Sequence, residues 1–127
     1  MGGISLPLNN ERLTSILTDR GLAQFGDSLL NFAYSLALTE TGGKPKGTKV
    51  PDKILAEAAV KAGLRSHLPR RVGRGEVANG LEALLAQTWL EKLVTLDEIV
   101  TCLKAESLSS SHNFARLAEL ALKRLNK

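Results

Sequence analysis

Two stretches, residues 22–30 (LAQFGDSLL) and residues 80–90 (GLEALLAQTWL), decide how this chain folds and what it can hold. Each reads as an apolar helix that carries one carboxylate, Asp27 in the first and Glu82 in the second, next to or near a glycine. An acid on an apolar helix face is unfavourable unless it is paired, hydrogen-bonded or bound to a cation. Glycine inside a helix costs roughly 1 kcal/mol relative to alanine and is kept where another backbone must come close. Gly26 and Gly80 therefore predict two helices that cross at their glycines and bring Asp27 and Glu82 to one site. Oxygen-only ligands of this kind suit Mg²⁺ or Mn²⁺, and Mg²⁺ needs only one or two protein carboxylates when water and phosphate complete its shell. Asn79 lies three residues before Glu82, on the same helical face, and is expected to support the cation through its amide oxygen.

Outward from these stretches the apolar spacing is helical and no alternating run competes with it, so an all-α bundle of about six helices is expected. Asn10 caps a first helix that Gly21 closes. The second runs to Gly42-Gly43 with Leu22, Phe25, Leu29, Phe32, Ala33 and Leu36 turned inward. A flexible basic loop leads to a third helix that opens at Pro51 and ends at Gly63. Residues 64–75 read as a mobile loop with at most a short helical turn, and residues 76–93 as the helix that bears Glu82. Thr95-x-x-Glu98 is a capping box for a fifth helix to about residue 106. A serine-rich break at 107–111 precedes a last helix with Phe114, Leu117, Leu120, Ala121 and Leu125 inward.

The 127 residues fit one compact domain spanning 1–127. The single cysteine, Cys102, forbids an intrachain disulfide, and no apolar run approaches the ~20 residues needed to cross a bilayer, so a cytoplasmic setting and no membrane partner are expected. The net charge is +4, but residues 44–74 alone carry +7 and the remainder −3. Such a segment between two acidic motifs suits a polyanion, with Lys44, Lys46, Lys49, Arg65, Arg70, Arg71 and Arg74 as the candidate phosphate contacts; a plain solvated basic face is the alternative. His67 and His112 show no zinc spacing, Cys102 reads as a buried structural thiol, and five aromatic residues are too few for single-strand stacking. No small-molecule cofactor is expected.

Phe25-Gly26-Asp27-Ser28-Leu29-Leu30 resembles the FLGDAVL core of the ribonuclease III signature, and Leu81-Glu82-Ala83-Leu84-Leu85-Ala86 resembles its second acidic motif, DxxEALIGA. The resemblance covers about residues 22–93, with the motifs in the family's order. By length, the chain is most similar to the mini-ribonuclease III group, which has the nuclease domain without a double-stranded RNA-binding domain. It implies a metal-dependent homodimer that cleaves double-stranded RNA to 5′-phosphate and 3′-hydroxyl ends, with Asp27 and Glu82 as catalytic metal ligands. Full-length members of that family have two further acids, one turn before each motif acid. Here those positions hold Ala23 and Asn79. The mini-ribonuclease III group also lacks the first. A non-catalytic double-stranded RNA-binding or ribonucleoprotein-assembly module that retains the nuclease fold is the alternative that Ala23 and Asn79 favour, and a helical protein-interaction domain is a third.

Overall fold

The computed structural model describes residues 8–106 and 109–126. Among them the chain forms six α-helices and no strand: α1 (Asn10–Leu17), α2 (Arg20–Gly42), α3 (Asp52–Lys61), α4 (Arg74–Leu90), α5 (Leu96–Lys104) and α6 (Ser110–Leu125), with a single 3₁₀ turn at Arg65–His67. The all-α expectation holds. Helix α4 is the axis of the bundle, packed against α1, α2, α3 and α6. Its sequence explains the position: Val77, Ala78, Leu81, Leu84, Leu85 and Ala86 cover several faces and are all buried, as a helix apolar all round must be. Phe114, Leu117 and Ala121 of α6 and Leu55, Ala58 and Ala59 of α3 join them in one continuous core.

Helix boundaries follow capping chemistry. Asn9, one residue before the expected cap, accepts the Arg12 N–H at 2.8 Å, and α1 ends at Leu17. Asp19 then caps α2 by accepting the Leu22 N–H at 2.9 Å, so Gly21 lies in the first turn of α2 instead of closing α1. Gly43 (φ 75°) ends α2 as expected. The capping box of α5 forms: the Thr95 hydroxyl accepts the Glu98 N–H at 3.1 Å, and Glu98 Oε1 accepts the Thr95 N–H at 3.0 Å. Part of the serine-rich break, residues 107–108, lies outside the described residues, while Ser109 caps α6, which begins at Ser110.

The inward face of α2 differs from the one expected. Its buried residues are Ala23, Gly26, Leu30, Ala33 and Ala37, a stripe of mostly small side chains, whereas Phe25 and Phe32 are 41% and 57% exposed. Close approach explains the glycine, since a Cβ at residue 26 would meet the Glu82 backbone; Leu30 is buried and Tyr34 packs on Phe114, and of the large residues only Phe25 and Phe32 turn outward. Leu22, Leu29 and Leu36 are half-buried and pack against the core as expected, and Trp89 of α4 meets Phe25 with ring centroids 5.7 Å apart.

The segment between α2 and α3 is not the loose loop that its composition suggests. Three α2 side chains one turn apart fasten alternate loop residues. The Val50 N–H donates to Asn31 Oδ1 at 2.9 Å, and the Thr48 N–H donates to Ser35 Oγ at 2.9 Å. The Lys46 N–H donates to Thr39 Oγ1 at 2.9 Å. The Ser35 and Thr39 hydroxyls donate in return to the carbonyls of Thr48 and Lys46. The segment is thereby strapped antiparallel to α2, with Val50 buried at its end.

Candidate functional site

The position of Asp27 follows from Gly26. A Cβ at residue 26 would collide with the backbone carbonyl of Glu82, so glycine alone lets α2 rest on α4 at this point. The next residue on α2, Asp27, is then carried to the side chain of Glu82. Gly80 does not share this role: a Cβ there would meet Leu68 at 3.6 Å and the Leu17 carbonyl at 3.7 Å, ordinary van der Waals distances. The helices therefore cross at Gly26 against Glu82 itself, and the expectation of a glycine-on-glycine crossing is corrected.

Glu82 is 3% exposed, and its carboxyl lines a cleft together with that of Asp27. Burial, and then the hydrogen bond and charge of Asp27, push Glu82 from 4.5 up to about 8. Among the described residues the ion pairs are Arg12–Glu91, Lys104–Glu40 and Arg124–Glu98, and none of them reaches Asp27 or Glu82. Two facing acids, neither of them in an ion pair, form an oxygen donor set suited to a hard divalent ion.

Asn79 stands at the mouth of the same cleft. Its amide is oriented by its hydrogen bonds: the nitrogen donates to the Gly75 carbonyl at 3.2 Å and to Glu82 Oε1 at 3.3 Å. In this arrangement Asn79 acts as a donor to Glu82. Ala23 lines the cleft where an acid would stand one turn before Asp27, and contributes no ligand.

The basic candidates separate into groups. Lys49 reaches the acidic cleft, and its charge acts on Glu82. Lys46 lies beside Phe32 and Leu36 on the outer side of α2, and Lys44 is exposed near the start of the strap. Arg65 holds the loop ahead of α4 by donating to the carbonyls of Pro69 at 3.0 Å and Arg70 at 2.7 Å, which leaves its guanidinium engaged within the protein. Arg70 and Arg71 are exposed on the loop so held, and Arg74 is exposed as the first residue of α4.

Three cleft residues are not among the sequence candidates: Arg20, Gln24 and Asp52. Arg20, Gln24 and Asp27 recur at helical spacing on one face of α2, a signal that the sequence does carry. Asp52 arrives from α3 and has no such spacing relation to the motif acids.

The ribonuclease III family model matches residues 20–127, from the first residue of α2 through the last helix. The chain belongs to the ribonuclease III family. A comparison with proteins of curated function finds no match. Membership carries a ribonuclease-related role, and the two sequence motifs of the family are the segments that cross at Gly26 and Glu82. No helix among the described residues is long and apolar enough to cross a membrane.

Proposed function

We propose that the protein is a metal-dependent endoribonuclease acting on double-stranded RNA, with Asp27 and Glu82 holding Mg²⁺ or Mn²⁺. The observation that carries this reading is the pair of facing carboxyls, one of them almost fully buried, at the helix crossing of a ribonuclease III family fold. When bound, such a cation supplies Lewis acidity, acidifying water and offsetting the charge that develops on a scissile phosphate.

The chain's own residues account for the rest. Asp27 and Glu82 are preset by the crossing, so little reorganisation is needed when a cation enters. Asn79 steers Glu82 through its amide. Arg20 and Lys49 place positive charge at the cleft, where a duplex backbone would pass. Arg70, Arg71 and Arg74 extend that charge along the loop before α4, with Lys44 and Lys46 on the strap, as recognition of A-form RNA through its phosphates requires. Arg65 acts through the loop it fixes. The exposed Phe25, Phe32 and Leu90 provide an apolar face on which two copies pair, so that two clefts meet one duplex.

The test is cleavage of a duplex RNA with Mg²⁺, with EDTA, and with Asp27→Asn and Glu82→Gln proteins of unchanged helical content. Products with 5′-phosphate and 3′-hydroxyl ends, absent on chelation and in both variants, are expected. Cleavage that persists in either variant would remove these acids from the site. Binding of duplex RNA without cleavage would select the second reading, a non-catalytic RNA-binding or assembly module, which the neutral Ala23 and Asn79 favour.

A further inference from the structure

The cleft contains a third carboxylate that the family motifs do not supply. Asp52 opens α3, and a neighbouring anchor and its nearness to α4 show where it stands. On one side, the strap ends with Val50 bonded to Asn31, which lies one turn beyond Asp27 on α2. Only Pro51 separates that buried anchor from Asp52. On the other side, Asp52 Oδ2 comes to 3.8 Å from the position a Cβ would occupy on Gly75. Gly75, Asn79 and Glu82 follow one another at helical spacing along a single face of α4. Asp52 therefore sits over the first turn of α4, on the face whose next residues are Asn79 and Glu82.

An acid in the first turn of a helix is ordinarily explained by the helix dipole. That accounts for an acid at residue 52 but not for its place in this cleft, opposite Glu82. No cation pairs with Asp52 among the described ion pairs. The almost fully buried Glu82 carboxyl lines the same space, hydrogen-bonded to Asp27 and Asn79 and within reach of the charges of Asp52 and Lys49. Three acids against the two basic side chains of Arg20 and Lys49 leave this space with a net negative charge that a cation from outside would offset.

We infer that Asp52 supplies, from the first turn of α3, the negative charge that Asn79 withholds on α4, and that it holds the water shell of a divalent cation bound between Asp27 and Glu82. The contact is through water. Asp27, Asp52 and Glu82 do not converge as three direct ligands of one ion, and Mg²⁺ retains several of its waters at such sites. Lys49, at the same cleft, acts in the opposite sense by competing with the cation for the acids. The inference rests on the metal reading proposed above, and the experiment separates the two.

Isothermal titration of Mn²⁺ into the metal-free full chain provides a readout independent of activity. Asp52→Asn is expected to weaken Mn²⁺ binding about 10-fold, the size typical for partners that orient bound ligands. Asp52 is exposed, so the substitution leaves the core intact; Asp52→Ser, which also suits a helix start, serves as a second neutral variant. Lys49→Met is expected to tighten binding roughly 2- to 5-fold, as removal of an exposed competing charge would. The double variant Asp52→Asn with Asn79→Asp moves the charge back onto α4 and is expected to recover most of the affinity. If Asp52→Asn binds Mn²⁺ like the wild type while Asp27→Asn does not bind, the role of Asp52 is overturned and the metal reading stands. If the wild type itself takes up no Mn²⁺, the metal reading fails and this inference with it.

Discussion

Two glutamates, Glu82 on α4 and Glu98 on α5, are treated in opposite ways by the same fold. Glu98 lies near the surface and every charge on it is answered: Arg124 Nη1 and Nη2 reach it at 2.8 Å and 2.6 Å, and the Thr95 N–H donates to it at 3.0 Å. The hydrogen bond from Arg124, followed by that from Thr95, holds it down at about 2. Glu82 lies in the interior against another acid, and burial followed by Asp27 drives it up to about 8. A carboxylate that only serves the fold is paired inside the chain. One that is buried, unpaired and opposite a second acid makes sense as part of a site completed by something from outside.

Stability against pH offers the sharpest way to break this contrast. Glu82 has a folded pKa above its ordinary 4.5, so its contribution is fully present below 4.5 and is lost as pH rises through about 8. The metal-free protein should therefore lose stability between pH 4.5 and 8, by up to several kcal/mol. Denaturant titrations of Glu82→Gln across that range should lack the decline. Glu98 behaves inversely: its contribution is present above 4.5 and is lost as pH falls towards 2. Parallel titrations of Glu98→Gln should flatten the acid limb and leave the alkaline one unchanged. If both variants keep the wild-type profile, the two environments do not differ as described.

The crossing that buries Glu82 can be attacked directly. Gly26→Ala forces a Cβ into the Glu82 carbonyl and should destabilise the protein by about 3 kcal/mol, measured by chemical denaturation. Gly80→Ala, with ordinary contact distances, should be nearly neutral. Equal losses at the two glycines would refute the asymmetric crossing. On the chemical side, Glu82→Gln or Asp27→Asn should reduce Mg²⁺-dependent duplex RNA cleavage at least about 100-fold, since a catalytic cation is worth several kcal/mol. On the structural side, Thr95→Ala removes the cap beside Glu98 and should cost about 1 kcal/mol of stability with activity retained.

The smallest expected effect concerns RNA binding. Replacing Arg70, Arg71 and Arg74 with alanine should lower the salt slope of duplex binding by roughly 0.7 to 0.9 for each phosphate that is no longer neutralised. Arg65→Ala should act differently, by releasing the loop carbonyls it holds and loosening the presentation of Arg70. A triple variant with the wild-type slope would assign those arginines to a merely solvated face.

Where the sequence is legible, short-range chemistry is the reason. The capping box of α5, the glycine stop of α2 and the two acid-bearing helices all depend on residues within a few positions of one another. The inward face of α2 is hidden from any reading that weighs hydrophobicity by side-chain size. Phe25 and Phe32 are the two phenylalanines of that helix, yet Ala23, Gly26 and Ala33 are buried and they are not. The direction of the Asn79 amide depends on Gly75 and Glu82 together, and spacing alone cannot supply it. Asp52 is illegible because its relation to Glu82 spans separate helices and passes through the strap.

The strap is also a measuring device. Its three anchors on α2, Asn31, Ser35 and Thr39, repeat every four residues, roughly 6 Å along a helix axis. Their partners, Val50, Thr48 and Lys46, repeat every two, about 6.6 Å in extended chain. The two rulers agree closely enough to mesh over three marks, and the small mismatch would defeat a much longer match. One residue inserted between Lys46 and Val50 would shift every mark beyond it by half a repeat, putting the wrong backbone amides opposite the α2 side chains. The acids would remain in the chain, with Asp27 and Glu82 unmoved, yet Lys49 and Asp52 would no longer arrive at the cleft in register. In this protein the length of a connecting segment is thus as much a determinant of the site's charge as the identity of the residues that line it.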